Sequence, residues 1–157
     1  MKKKILISFL AAIVVFLNCF ALPASAVNEE KIISTSVEYF DDGSYLIMTT
    51  AEIVNYSRAS VKTGTRTYTH IASNGETLWT YKITGTFSYT GSSSTCTAVS
   101  DSYTISHDNW HMSSHSCSKS GNTAYGTVTM KYKVLGITAN TITRNISLSC
   151  SATGTLS

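Results

Sequence analysis

Residues 76–90 read ETLWTYKITGTFSYT, and the alternation within them decides the fold. Trp79, Tyr81, Ile83, Phe87 and Tyr89 fall on one side of an extended chain, with Thr80, Lys82, Thr84, Thr86 and Ser88 on the other. Side chains of a strand alternate between its two faces, so this is a strand with one face buried and one in water. Residues 122–135 repeat the pattern: Ala124, Gly126, Val128, Met130, Tyr132 and Val134 oppose Thr123, Thr127, Thr129, Lys131 and Lys133. A third run sets Ile142, Ile146, Leu148 and Cys150 against Thr141, Thr143, Asn145, Ser147 and Ser149. Arg144 lands on its apolar side, which predicts a bulge or a register change there.

The rest of the chain from Val27 onward follows suit. Thr and Ser supply about a third of it, helix formers are sparse, and β-branched and aromatic residues recur with period two. Asp41-Asp42-Gly43, Asn74-Gly75 and Gly121-Asn122 separate alternating runs, and such turns need a positive φ that Gly and Asn tolerate. Strands are predicted at 31–40, 44–54, 64–73, 76–90, 95–105, 110–119, 122–135 and 137–151. Eight strands with short connections make an all-β domain, a single antiparallel β-sandwich or partly open barrel. Threonine-covered outer faces keep such a domain soluble without charge. A flat hydroxyl array of the same kind also suits a glycan, a cell wall or another ordered surface.

The N-terminus is an address. Lys2, Lys3 and Lys4 precede an apolar run from Ile5 to Leu22, followed by Pro23 and Ala24-Ser25-Ala26. This is the three-part layout of a secretory signal peptide over residues 1–26, with cleavage expected after Ala26 and a secreted, extracellular domain over 27–157. No stable membrane anchor remains after cleavage. Cys19 is not a lipid-attachment site, because Phe16-Leu17-Asn18 lacks the small residues such a site has before its cysteine. The chain holds 12 Lys and Arg against 9 Asp and Glu, and three of the lysines lie in the leader, so the mature domain carries 9 of each. A net charge of zero supplies no attraction to phosphate backbones, and nucleic acid is not an expected partner.

Three cysteines remain: Cys96, Cys117 and Cys150. In an oxidising exterior one pair is expected to close, and Cys96 with Cys117, on consecutive strands, is the default disulfide. Cys96 with Cys150 and Cys117 with Cys150 are the alternatives. His107, Asp108, His111, His115 and Cys117 are the densest group of metal-competent side chains, and on a regular strand His111, His115 and Cys117 share a face. Without HExxH or paired CxxC spacing no metal is assigned, and His111 and His115 stand as the candidate ligands.

No catalytic residue and no cofactor is assigned. No nucleophile elbow or phosphate-cradling loop is present, and the paired acids Asp41-Asp42 and Glu29-Glu30 read as solvated turn and tail residues. Carbohydrate-binding sandwiches stack sugar rings on exposed aromatics, which makes Trp79, Tyr103, Trp110 and Tyr125 of interest. Trp110 and Tyr125 are the ligand-binding candidates, Tyr125 because it sits on the polar face of its strand. Asn55-Tyr56-Ser57 and Asn145-Ile146-Ser147 match the N-glycosylation pattern, which matters in a eukaryotic host.

The stretch Thr84-Gly85-Thr86-Phe87-Ser88-Tyr89-Thr90-Gly91, running on through Ser92-Ser93-Ser94-Thr95-Cys96-Thr97, and the stretch Ser118-Lys119-Ser120-Gly121-Asn122-Thr123-Ala124 resemble small secreted β-rich proteins of Gram-positive bacteria that have no assigned activity. The resemblance covers residues 60–157 and implies a secreted β domain, with no functional residue to carry over. The expected function is binding or surface interaction, with a glycan, cell wall or protein as the extracellular partner. A secreted toxin or antimicrobial protein and a small secreted hydrolase are the alternatives. A hydrolase needs a cleft joining His to a nucleophile or carboxylate, and a membrane-inserting toxin needs a hairpin less polar than these strands.

Overall fold

The computed structural model describes residues 29–54 and 60–157. The leader, the cleavage point after Ala26 and Asn55-Tyr56-Ser57 lie outside them. Eight antiparallel strands follow in order: β1 (Glu29–Tyr39), β2 (Tyr45–Val54), β3 (Val61–Ile71), β4 (Thr77–Tyr89), β5 (Ser94–Ile105), β6 (Trp110–Ser120), β7 (Thr123–Val134) and β8 (Ile137–Ser149). β1 to β5 form one meander and β6 to β8 a second, and no helix occurs among the described residues. The two sheets face each other and do not close into a barrel.

The inner face of β4 is the floor of the core. Trp79, Tyr81, Ile83 and Phe87 are fully buried and pack with Ala124, Val128 and Met130 of β7 and Ile146 and Leu148 of β8. Gly126 permits a close approach of the sheets, since a Cβ there would lie 2.7 Å from Tyr81 Oη and 2.9 Å from Ile146 Cγ2, and against Ile83. The C-terminal residues fold back through a bridge between Cys150 and Leu156, and Leu156 fills the space over Gly64. The outer face of the three-stranded sheet carries the expected hydroxyl rows. Thr127 donates to Asn145 Oδ1 at 2.9 Å, and the Thr129 and Thr143 hydroxyls meet at 3.0 Å.

Arg144 corrects the sequence reading. The β7–β8 ladder runs through it without a shift, pairing it with Val128, and the irregularity falls instead between Tyr132 and Lys133. Its guanidinium reaches across the sandwich to Glu38 of β1 at 2.9 Å and lies 5.4 Å from the centre of the Phe40 ring. An inward charge is tolerated here because a carboxylate and an aromatic face receive it at the sheet edge.

The expected disulfide is likewise absent: Cys96, Cys117 and Cys150 are all free thiols. β5 and β6 pass with Cys96 N bonded to Gly121 O, while Asp101 of β5 reaches His115 near Cys117. Five residues of strand separate Cys96 from Asp101, roughly 16 Å. A disulfide needs Cα atoms within about 7 Å. Cys150 is buried beside Leu148, as its place on the apolar face implies.

Candidate functional site

The turns joining β1 to β2, β3 to β4, β5 to β6 and β7 to β8 all lie at one end of the sandwich. Asp41-Asp42-Gly43 makes the first of them, with Phe40 N bonded to Ser44 O at 2.9 Å and Gly43 at a φ of 79°. This tight return turns Ser44 inward, where it is buried beside His70 near the end of β3. Ser44 Oγ lies 2.6 Å from Asp42 Oδ1 and 3.2 Å from His70 Nε2, and Ser44 N also donates to Asp42 at 2.9 Å. An ionised carboxylate only accepts, so the serine hydroxyl donates to Asp42 and accepts from His70 Nε2–H. The imidazole is thereby fixed in one neutral tautomer, with Nδ1 the acceptor.

His70 sits in an aromatic cage. Its ring meets those of Trp79, Trp110 and Phe40 edge-on at 5.2, 5.3 and 5.4 Å, and Trp110 in turn packs on Tyr132 at 5.4 Å. Burial pushes the imidazole below its ordinary value, against the pull of Asp42 in the other direction. Asp42 is held below the usual carboxylate range by its bonds from the Ser44 hydroxyl and backbone. His70 Nδ1 and Trp79 Nε1 are buried and have no hydrogen-bond partner among the described residues.

Two adjoining concavities of about 300 and about 410 Å³ open over this group and share Asp42, Ser44, His70, Trp110 and Asn140. Tyr132 and His107 complete the wall of the first. The pocket thus pairs an aromatic wall with a carboxylate, an amide and an imidazole. It does not make a hydrolytic triad. In such a triad the carboxylate orients the imidazole and the imidazole takes the serine proton. Here the carboxylate grips the serine itself, and the second imidazole nitrogen faces no carboxylate.

Of the residues singled out in the sequence, Trp110 lines this pocket, although only 6 % of it is exposed. Trp79 is wholly core. Tyr125 is 43 % exposed on the outer face of the three-stranded sheet, beside a shallow cleft with Thr127, Asn145 and Ser147. Ser44, His70 and Asn140 carry no site signal in the sequence, and Asp42, which reads there as a solvated turn acid, instead holds Ser44 by two hydrogen bonds. The Asp-Asp-Gly turn was the one available signal, since its second acid and the following serine are placed to bond locally.

His111 and His115 do not come together. A bulge between Met112 and Ser114 changes the phase of β6, so His111, opposite Lys131, and His115, opposite Val128, lie on different faces. Among the described residues no three metal-competent side chains converge. His115 joins a separate group at the seam between β5 and β6. Its Nδ1 lies 2.8 Å from Asp101 Oδ2, which also accepts from the Tyr81 hydroxyl at 3.0 Å. Burial raises Asp101, but the bonds from His115, Tyr81 and Cys117 outweigh it and leave the carboxyl low. The Cys117 thiol is pushed up by burial and by the adjacent Asp101 charge, which makes it a poor nucleophile.

The fold and site define an all-β sandwich with an aromatic-walled pocket at one end. No protein-family model matches the chain, and neither a curated protein nor a solved structure with significant similarity to it was found.

Proposed function

We propose that this chain is exported by its leader and works outside the cell as a binding module, taking a sugar ring of an extracellular or cell-wall glycan in the end pocket. The observation that carries the reading is the partnerless Nδ1 of His70, buried under a pocket of about 300 Å³ with an aromatic wall and Asp42 and Asn140 at its margin. Aromatic surface covers the apolar face of a sugar, and carboxylate and amide groups pair with its hydroxyls. The volume suits one ring rather than a long chain segment. A zero net charge after cleavage is in keeping with a neutral ligand.

The test is a pull-down of residues 27–157 on a panel of glycans and cell-wall preparations, followed by calorimetric titration of the ligand retained. Asp42→Asn and Asn140→Ala are each expected to weaken binding about tenfold, the loss of one good hydrogen bond to ligand. Tyr125→Ala, on the outer face, is expected to leave it unchanged. Retention of nothing, or binding lost with Tyr125→Ala and kept with Asp42→Asn, overturns the assignment. The second of those results moves the site to the hydroxyl face.

A further inference from the structure

β1 is an edge strand with no element laid over it among the described residues. Ten of its eleven residues pair with β2, along one side only, and every one of the eleven is exposed, Ile32 at 65 %, Val37 at 45 % and Tyr39 at 76 %. The other sheet margins are treated differently. Arg66 and Tyr68 donate to the Ser147 and Asn145 carbonyls of β8, Tyr81 to the Ser116 carbonyl of β6, and Lys119 to the Thr97 carbonyl of β5. No such side-chain bond reaches the backbone of β1 among the described residues. A long edge strand with free N–H and C=O groups is a template for another strand unless it is shortened, charged, broken by proline or covered. Among the described residues β1 has neither proline nor cover; its irregularity is the extra residue Ile33 between Ile32 and Ser34, and its charges, Glu29, Glu30, Lys31 and Glu38, are of both signs, so they select an incoming strand rather than repel every one.

The order of side chains along β1 is complementary to itself. The β2 register puts Lys31, Ser34, Ser36 and Glu38 on one face, opposite Glu52, Thr50, Met48 and Leu46. Glu30, Ile32, Thr35, Val37 and Tyr39 lie on the other, opposite Ile53, Ala51, Thr49, Ile47 and Tyr45. With Ile33 looped out as it already is against β2, an antiparallel pairing centred on Thr35 sets Lys31 against Glu38 and Ile32 against Val37. It also sets Ser34 against Ser36, and every pair shares a face. Sliding the register to the next alignment with matched faces puts Glu38 against Glu29 in one direction and against Ser34 in the other. Of these three registers only the Thr35-centred one gives each lysine a carboxylate, and the two-fold axis supplies that contact twice. Cross-strand pairs of opposite charge and of apolar side chains are what fix a register. The Glu38 side chain is 57 % exposed even while bonded to Arg144, so a second cation can reach it.

We propose that two copies of this chain associate through β1, antiparallel about Thr35, and merge their five-stranded sheets into one. A two-fold contact of this kind closes on itself and stops at the dimer. It also turns the two end pockets in opposite directions along the joined sheet.

Sedimentation of the mature chain over about two orders of magnitude in concentration tests this by mass action, independently of any ligand. A doubled mass at the upper end is expected. Lys31→Glu and Glu38→Lys each set like charges together at both contacts and are expected to be monomeric, with folding checked by circular dichroism. Mixing them in equal amounts restores Glu against Lys at both contacts and is expected to restore the dimer. Thr35→Cys, in a chain with Cys117→Ser, is expected to cross-link two copies under mild oxidation, because it lies on the axis. A monomer at every concentration, a Lys31→Glu variant as dimeric as the parent, a mixture that stays monomeric, or a species that grows past the dimer overturns the proposal.

Discussion

Removing one hydroxyl beneath the pocket tests the account of His70. Ser44→Ala deletes the group that accepts from His70 Nε2 at 3.2 Å and donates to Asp42 at 2.6 Å. The ring is 2 % exposed and its Nδ1 already lacks a partner, so the variant leaves a buried imidazole with neither nitrogen bonded. An unsatisfied buried donor costs about 1–3 kcal/mol. The lost bond to Asp42 adds little, because that carboxylate is exposed and turns to water. At about 2 kcal/mol, and roughly 3–5 °C per kcal/mol for a domain of this size, the melting temperature should fall by about 6–10 °C. His70→Phe removes the demanding ring and fits the same aromatic cage, so it should cost less than about 1 kcal/mol. Ser44→Ala on that background should then cost about 1–2 kcal/mol less than on the parent.

The same pair of proteins gives a pH signature. The folded His70 sits below its ordinary value of 6.5 because burial disfavours its charged form. As pH falls through 6.5, the unfolded chain takes up a proton that the folded chain does not, and stability declines. Urea unfolding should show that decline in the parent as pH is lowered below 6.5, and a shallower slope in His70→Phe. Equal slopes, or a Ser44→Ala cost that is the same on both backgrounds, would refute the hydrogen-bond chain from imidazole to serine to carboxylate.

Gly126→Ala places a methyl between Tyr81 Oη and Ile146 and should destabilise the domain by about 1–3 kcal/mol in urea unfolding. Tyr81→Phe deletes the hydroxyl that joins Asp101 at 3.0 Å and Ser116 O at 3.1 Å. It should cost about 1–2 kcal/mol by the same measurement. Leu135 holds a φ of 50° at a β7–β8 turn where it is 97 % exposed. Leu135→Asn should therefore raise stability by about 1 kcal/mol, since asparagine tolerates this conformation and no contact is lost. Iodoacetamide on the folded mature domain, residues 27–157, should add one label per chain, at Cys117, with Cys96 and Cys150 reacting only in denaturant. Mass spectrometry reads the count, and the rate should climb with pH because the Cys117 thiol is raised.

What was legible in the sequence was whatever period two encodes. The pattern at Trp79, Tyr81, Ile83 and Phe87 gave β4 and its buried face, and all eight strands fall close to their predicted ranges. Period two is blind to where the phase breaks. The bulge before Ser114 separates His111 from His115, and nothing local in Met112-Ser113-Ser114 announces it. It is equally blind to contacts across the sandwich. Arg144 seemed out of place because its partners, Glu38 and Phe40, lie about a hundred residues away in the chain. The pocket was hidden for the same reason: Trp110 was singled out, but Ser44, His70 and Asn140 become neighbours only once the alternate turns gather at one end.

The polar residues on the inner face follow a rule that unites these exceptions. The apolar core is centred on β4, β7 and β8 and takes in Leu46 of β2, Cys96 of β5 and Trp110 of β6, while β1 contributes nothing to it. Past its margins the backbone of the outer strands would stand in a half-dry groove with unpaired carbonyls, which is costly. Arg66, Tyr68, Lys119 and the Tyr81 hydroxyl each reach across to one of those carbonyls. Inward charges in this chain are therefore edge guards as well as ties between sheets. Glu38 is the exception: its bond to Arg144 ties β1 to the second sheet through a side chain, and among the described residues no side chain caps the backbone of β1 itself.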